Sequence, residues 1–127
     1  MSLAATSATK YSLRLVFNMQ KDDRIRLQHM LDAANEALSF IQGKIRADLD
    51  KERMLVLSLI RELEIIGEAA SKVSPETRSQ TGAVPWQDIT GMRNRLTHAY
   101  FDVDLDTVWS TVTKDLPVLK AELQKIL

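Results

Sequence analysis

At 127 residues the chain suits a single domain with one core. Hydrophobic residues make up 45% and charged residues 27%, which excludes wholesale disorder, while only 4 Gly and 3 Pro argue against the many tight turns of an all-β fold. Seventeen basic residues balance seventeen acidic ones and there is no cysteine, so a global field drawing in nucleic acid, a disulfide framework and a zinc–cysteine site are all excluded.

Met1-Ser2-Leu3 reads as a cloning scar, followed by a small polar run. Tyr11, Leu13, Leu15 and Phe17 then alternate with Ser12, Arg14, Val16 and Asn18, the period-two pattern of a strand. A lone strand has no partner in a chain otherwise rich in helix formers. Residues 1–21 are therefore read as an N-terminal extension and 22–127 as one helical domain. YSLRLVF is too short for a signal-peptide core and carries Arg14 in its middle. No apolar run approaches the roughly 20 residues that span a bilayer, and the expected location is cytoplasmic.

Asp22 and Asp23 offer N-caps to a first helix, roughly 22–42, whose stripe is Leu27, Met30, Leu31, Ala34, Leu38 and Ile41. Gly43 ends it. A second helix starts near Asp48 to Asp50 and reaches Val73. Its apolar residues wrap more than one face, which predicts a central position. Gly67 inside it costs about 1 kcal/mol against Ala, a cost that a close helix crossing explains. Glu62, Glu64 and Glu68 read as a charged face, with an ion pair to an arginine of the third helix as the alternative. Ser74-Pro75 caps a short helical turn. The third helix begins at Pro85-Trp86 and extends to at least His98, with Trp86 and Trp109 as core or interface anchors. Asp104 caps a last helix running toward Leu127, kinked or restarted by Pro117. The sum is an all-α, four- to five-helix up-and-down bundle.

The chemistry gathers in RNRLTHAY, residues 93–100, which holds one of the two histidines and one of the two tyrosines. On a wheel with Ile89 at zero, Met92 and Leu96 mark the core side, Arg93 falls near 40° and Tyr100 near 20°. His98 falls near 180°, flanked by Asn94 and Arg95, so a straight helix separates Arg93 from His98 by about 140°. One reading is a solvated face with Arg93 snorkelling from the core edge. The other is a site. An imidazole can take a proton from a ribose 2′-hydroxyl, and a guanidinium can stabilise a five-coordinate phosphoryl transition state. Unwinding near Thr97, a phosphate lying across the helix, or a second copy across a two-fold axis would each bring the two together; the dimer is the preferred solution. No metal is called for. Asp102, Asp104 and Asp106 lack the Gly and distal Glu of a calcium loop and are better accounted for by capping, and the other histidine, His29, stands alone on the first helix.

Arg93, His98 and Tyr100 spell R-x4-H-x-Y, which resembles the signature of HepT-like toxins of the HEPN superfamily. The flanks IRELEIIGEAASKVSPETR, VPWQDITGMRNRLTHAYFDVDLDTVW and DLPVL are similar to that family as well, as is RLQHMLDAANEALSFI, so the likeness covers residues 22–127. The resemblance implies a HEPN-like bundle dimerising through its helices, a homodimer that cleaves RNA with no metal or other cofactor. Arg93 and His98 match the catalytic pair. Asn94 matches a supporting polar position, and Arg95 is an expected RNA contact. Tyr100 matches the tyrosine that a nucleotidyltransferase antitoxin of the MNT type modifies with AMP in a type VII-like toxin–antitoxin pair. Some relatives are instead noncatalytic subunits that bind such a nucleotidyltransferase, which stands as the alternative.

Overall fold

The computed structural model describes residues 19–98 and 103–127, without the side chains of Arg95, Thr97 and His98. The strand pattern at 11–18 and Tyr100 lie outside the described residues. Among the described residues the structure is all helical. The helices are α1 (Lys21–Phe40), α2 (Arg53–Ser71), short α3 (Pro75–Gln80), α4 (Trp86–His98), α5 (Leu105–Ser110) and α6 (Leu116–Ile126). A π-helical turn, Thr111–Asp115, joins α5 to α6, so those two form one continuous rod and the described residues make five helices.

α1 and α2 make the central hairpin. Small residues Ala33, Ala34 and Ala37 on α1 let α2 approach, and Leu59, Leu63 and Ile66 of α2 are sealed from solvent. α4 then packs on α2, and α6 packs on α1. α2 is thus covered from two directions, as its wrap-around apolar pattern predicts. Gly43 adopts a φ of +75°, the left-handed conformation that ends a helix at little cost for glycine. α2 begins later than the sequence suggests. Residues Arg46–Asp50 form a separate 3-10 turn, in which the Asp48 carboxylate accepts the Ile45 N–H at 2.7 Å. Such a local bond offers the backbone an alternative to the α-helix.

Asp23 is not an N-cap. It lies inside the first turn of α1 and is buried, and its carboxylate reaches across the bundle to the start of α3. It accepts from the Ser74 backbone N–H at 3.0 Å, the Ser74 hydroxyl at 2.6 Å and the Thr77 hydroxyl at 2.6 Å. Ser74 still caps α3 as expected, its Oγ accepting the Thr77 N–H at 3.2 Å. Arg78 turns back to close α2, donating to the Val73 and Ser71 carbonyls, each at 3.0 Å. The α2–α3 corner is therefore a polar knot tied to the start of α1.

The α-helix restarts at Pro117, as the sequence suggests: α6 begins at Leu116 with the proline in its first turn. The π turn sits one turn ahead of it, with the Leu116 N–H bonded to the Thr111 carbonyl. Thr111 and Thr113 hydroxyls donate to the carbonyls of Thr107 and Trp109, both at 2.7 Å, a kind of back-bonding that loosens the α-helical ladder. The wider turn is what admits the proline ring.

Candidate functional site

Three devices set the position of α4. At its start, Trp86 is buried and its indole N–H is shared between the Thr81 carbonyl and hydroxyl, each at 3.2 Å. Thr81 is itself sealed from solvent and donates to the Thr77 carbonyl at 2.7 Å. Along the helix, Ile89 and Leu96 are buried, which confirms the core side read from the wheel. The third device is Gly67 of α2. A Cβ placed there would collide with Cβ of Arg93 and would lie 3.2 Å from its Cγ and 3.4 Å from its Cα. The glycine that interrupts α2 is the socket for Arg93, so the close crossing expected from the sequence falls at the candidate site.

Arg93 is left half-exposed by this packing, with 38% of its side chain accessible. Its Nη2 meets Glu68 Oε2 at 2.6 Å, and the other Glu68 oxygen takes Lys72 Nζ at 3.2 Å. Hydrogen bonding from Lys72, joined by the Arg93 charge, holds the Glu68 carboxyl below its ordinary range. Of the three glutamates of α2, then, Glu68 makes the ion pair to the third helix. Asn94 is exposed beside Arg93. α4 is helical through His98, so the chain does not unwind at Thr97. The backbone therefore keeps the phase difference between positions 93 and 98. The side chains of Arg95 and His98, and all of Tyr100, lie outside the described residues.

Glu62 departs from the charged-face reading. It is only 5% exposed, and burial, with a hydrogen bond to Glu36 of α1, pushes its pKa up to about 7. Glu62 falls in the buried stripe Leu55, Leu59, Ile66 and Ala69 of α2, at spacings of three and four, and Glu64 does not. At the start of α5, Asp104 and Asp106 are both engaged. Asp104 caps α5, accepting from Asp106 N at 2.9 Å and Thr107 N at 3.4 Å, while Asp106 binds Arg46 Nε at 2.6 Å. Beside α4 runs an apolar groove of about 600 Å³, walled by Ile89, Met92 and Leu96 of α4 and by Val108 and Leu116 across from them. Among the described residues no helix is long and apolar enough to cross a membrane.

Comparison with known proteins gives the family. The model of the ribonuclease HepT-like family matches residues 30–126, a span that includes the whole of α2 and α4. A protein of Caldanaerobacter subterraneus subsp. tengcongensis named "Putative RNase TTE0752" is 36% identical over 84% of this chain and 96% of its own length. "Probable ribonuclease HepT" of Thermococcus cleftensis is 31% identical over 85% of this chain and 98% of its own. "Putative RNase MJ1380" of Methanocaldococcus jannaschii is 32% identical over 83% and 96%, respectively. No solved structure matches the chain. The helical bundle that seats an R-x4-H helix against a glycine thus belongs to the ribonuclease HepT-like family.

Proposed function

We propose that this chain is a metal-independent endoribonuclease, the toxin of a type VII-like HEPN/MNT toxin–antitoxin pair. The observation that carries the proposal is Arg93, fixed by the Gly67 socket at the surface of α4, within a family match that spans the motif. The names of the relatives support the same activity. In this reading the His98 imidazole takes the proton of a ribose 2′-hydroxyl, and the freed oxygen attacks the adjacent phosphorus. The P–O5′ bond breaks, the 5′-oxygen leaves with a proton, and the products are a 2′,3′-cyclic phosphate and a 5′-hydroxyl. Arg93 stabilises the added charge on the phosphoryl oxygens, and Asn94 and Arg95 support the bound strand.

The helical phase of α4 favours a homodimer, in which His98 of one copy joins Arg93 of the other across a two-fold axis. The apolar groove flanking α4 supports a helix-mediated contact of this kind. Tyr100 is the site at which a nucleotidyltransferase antitoxin attaches AMP, placing bulk and negative charge where the RNA phosphate must sit.

The test is cleavage of RNA by the unmodified protein beside Arg93→Ala and His98→Ala. Each change is expected to slow cleavage by at least about 100-fold while the fold is retained. Cleavage at the same rate in both variants would overturn the assignment. Intact mass after incubation with ATP and the nucleotidyltransferase should show AMP units on Tyr100. A stable complex with that partner but no cleavage by the pure protein would make the chain a noncatalytic subunit.

A further inference from the structure

On the outer side of the α1–α2 hairpin lies a recess of about 170 Å³. Arg26 and His29 of α1 line one side, with Arg61, Glu68 and Lys72 of α2 on the other. Between them lies an apolar strip of α2 that includes Ala69. Positions 61, 65, 68, 69 and 72 form a single stripe along α2, and 26 and 29 are neighbours on α1. In the sequence alone His29 is an isolated histidine. The hairpin makes it part of a cluster.

The charge of this recess is out of keeping with a neutral chain. Three permanent cations and an imidazole face one carboxylate, and that carboxylate is already shared between Lys72 and Arg93. Among the described residues Arg61 pairs with Glu64 alone, at 3.6 Å and largely exposed. Among the described residues no ion pair or side-chain hydrogen bond engages Arg26 or His29. Like charges gathered on two packed helices repel one another, and an anion placed among them relieves that repulsion. The donors are of the phosphate-binding kind: two forked guanidiniums, an ammonium and a ring nitrogen. The volume fits a phosphate group and is small for a nucleotide, whose pockets usually run to about 300 Å³ or more. Glu68 ties the recess to Arg93, so an anion here lies next to whatever Arg93 holds.

We propose that Arg26, His29, Arg61 and Lys72 form a phosphate subsite for RNA, taking a backbone phosphodiester that flanks the one presented to Arg93. The subsite rests on the ribonuclease reading and adds a track leading away from the cleavage point. Glu68 is its placeholder: it neutralises Lys72 and Arg93 in the free protein and yields them to RNA phosphates when the strand binds.

The experiment is fluorescence anisotropy of a 5′-fluorescein, mixed-sequence single-stranded RNA titrated with His98→Ala protein, with and without Arg26→Gln/Arg61→Gln, across a range of KCl. The double variant is expected to bind about tenfold more weakly at low salt. The slope of log K against log salt should fall by about 0.7, the contribution of one phosphate contact to a single strand. Arg26→Lys/Arg61→Lys should recover most of the affinity. Lys72→Gln, far from the core, gives the same direction of change if the double variant proves unstable. Unchanged affinity and slope in a protein whose His98 form cleaves RNA would overturn the subsite alone. RNA that is bound but never cut would overturn the ribonuclease reading while the slopes still judge the subsite, and no binding at all would overturn both. Saturable ATP binding that the double variant abolishes, with RNA affinity untouched, would make the recess a free-nucleotide site and overturn the RNA assignment.

Discussion

Gly67 shows what one absent methyl group can do. An alanine would be the better helix former by about 1 kcal/mol, yet its Cβ would occupy the space of Arg93 Cβ. Overpacking of this kind typically costs about 1–3 kcal/mol. Gly67→Ala is therefore expected to destabilise the fold by up to roughly 2 kcal/mol net, read as a lower urea midpoint. RNA cleavage should fall further than stability does, because α4 must slide or tilt to make room and carries Arg93 with it. Cleavage at the parent rate with an unchanged midpoint would show that the crossing is not tight in solution. The sequence made Gly67 conspicuous as a residue out of place in a helix. It did not reveal which side chain fills the gap, because Gly67 and Arg93 stand far apart in the chain and on different helices.

Among the elements, the α2–α3 corner depends most on a single side chain. Asp23 satisfies three donors from Ser74 and Thr77 while almost entirely buried. Replacing it with Asn keeps the shape but removes the charge and forces one N–H toward those donors. Charge-assisted hydrogen bonds are worth about 1.5–3 kcal/mol each, so Asp23→Asn should cost about 2–4 kcal/mol, measured by denaturant unfolding. Because α3 leads through Thr81 to Trp86, the same variant should loosen the start of α4, seen as faster amide exchange there. Helix identity was legible in the residues themselves: the stripes of α1 and α2, the caps Ser74 and Asp104, and the stop at Gly43. The role of Asp23 was not. A carboxylate in the first turn of a helix looks like a cap, and only the folded hairpin brings α3 within its reach. The separate 3-10 turn is illegible in the sequence for a related reason, since Asp48 has the residue type of a helix start and its bond to the Ile45 N–H exists only in the folded turn.

For the molecule as a whole, two buried carboxylates pull stability in opposite directions with pH. Burial pushes the Asp23 carboxyl up, but hydrogen bonds from Ser74 and Thr77 outweigh it and hold the pKa below the ordinary 3.8. Its contribution is full above that value and is lost as pH falls through the lowered pKa. Glu62 has the opposite sign. With its pKa raised from 4.5 to about 7, it favours the folded state below 4.5, and that advantage is lost as pH rises toward 7. Together they place the stability maximum on the acidic side of neutral. Glu62→Gln, which donates to Glu36 without ionising, should stabilise the protein at pH 8 by roughly 2–3 kcal/mol, with the gain shrinking toward pH 4.5. Melting curves at the two pH values check this, and an equal shift at both would remove Glu62 as the cause. Whole-molecule charge told the opposite of the local story: a neutral total conceals the basic recess around Arg26 and Arg61, because topology rather than composition decides which charges become neighbours.

The π turn between α5 and α6 sets a phase. It gives the rod one residue more than an unbroken α-helix would carry over the same rise, an offset of about 100° between the faces on either side. α6 is keyed to the core by Leu116, Leu119, Leu123 and Ile126 and cannot rotate. The offset therefore falls on α5 and decides which of its residues look toward α4: Thr107 and Val108, with Thr111 at the turn. Chain length at 111–115 acts as a vernier for the groove beside the R-x4-H helix. A one-residue deletion there would leave α6 seated, yet turn a different face of α5 toward α4.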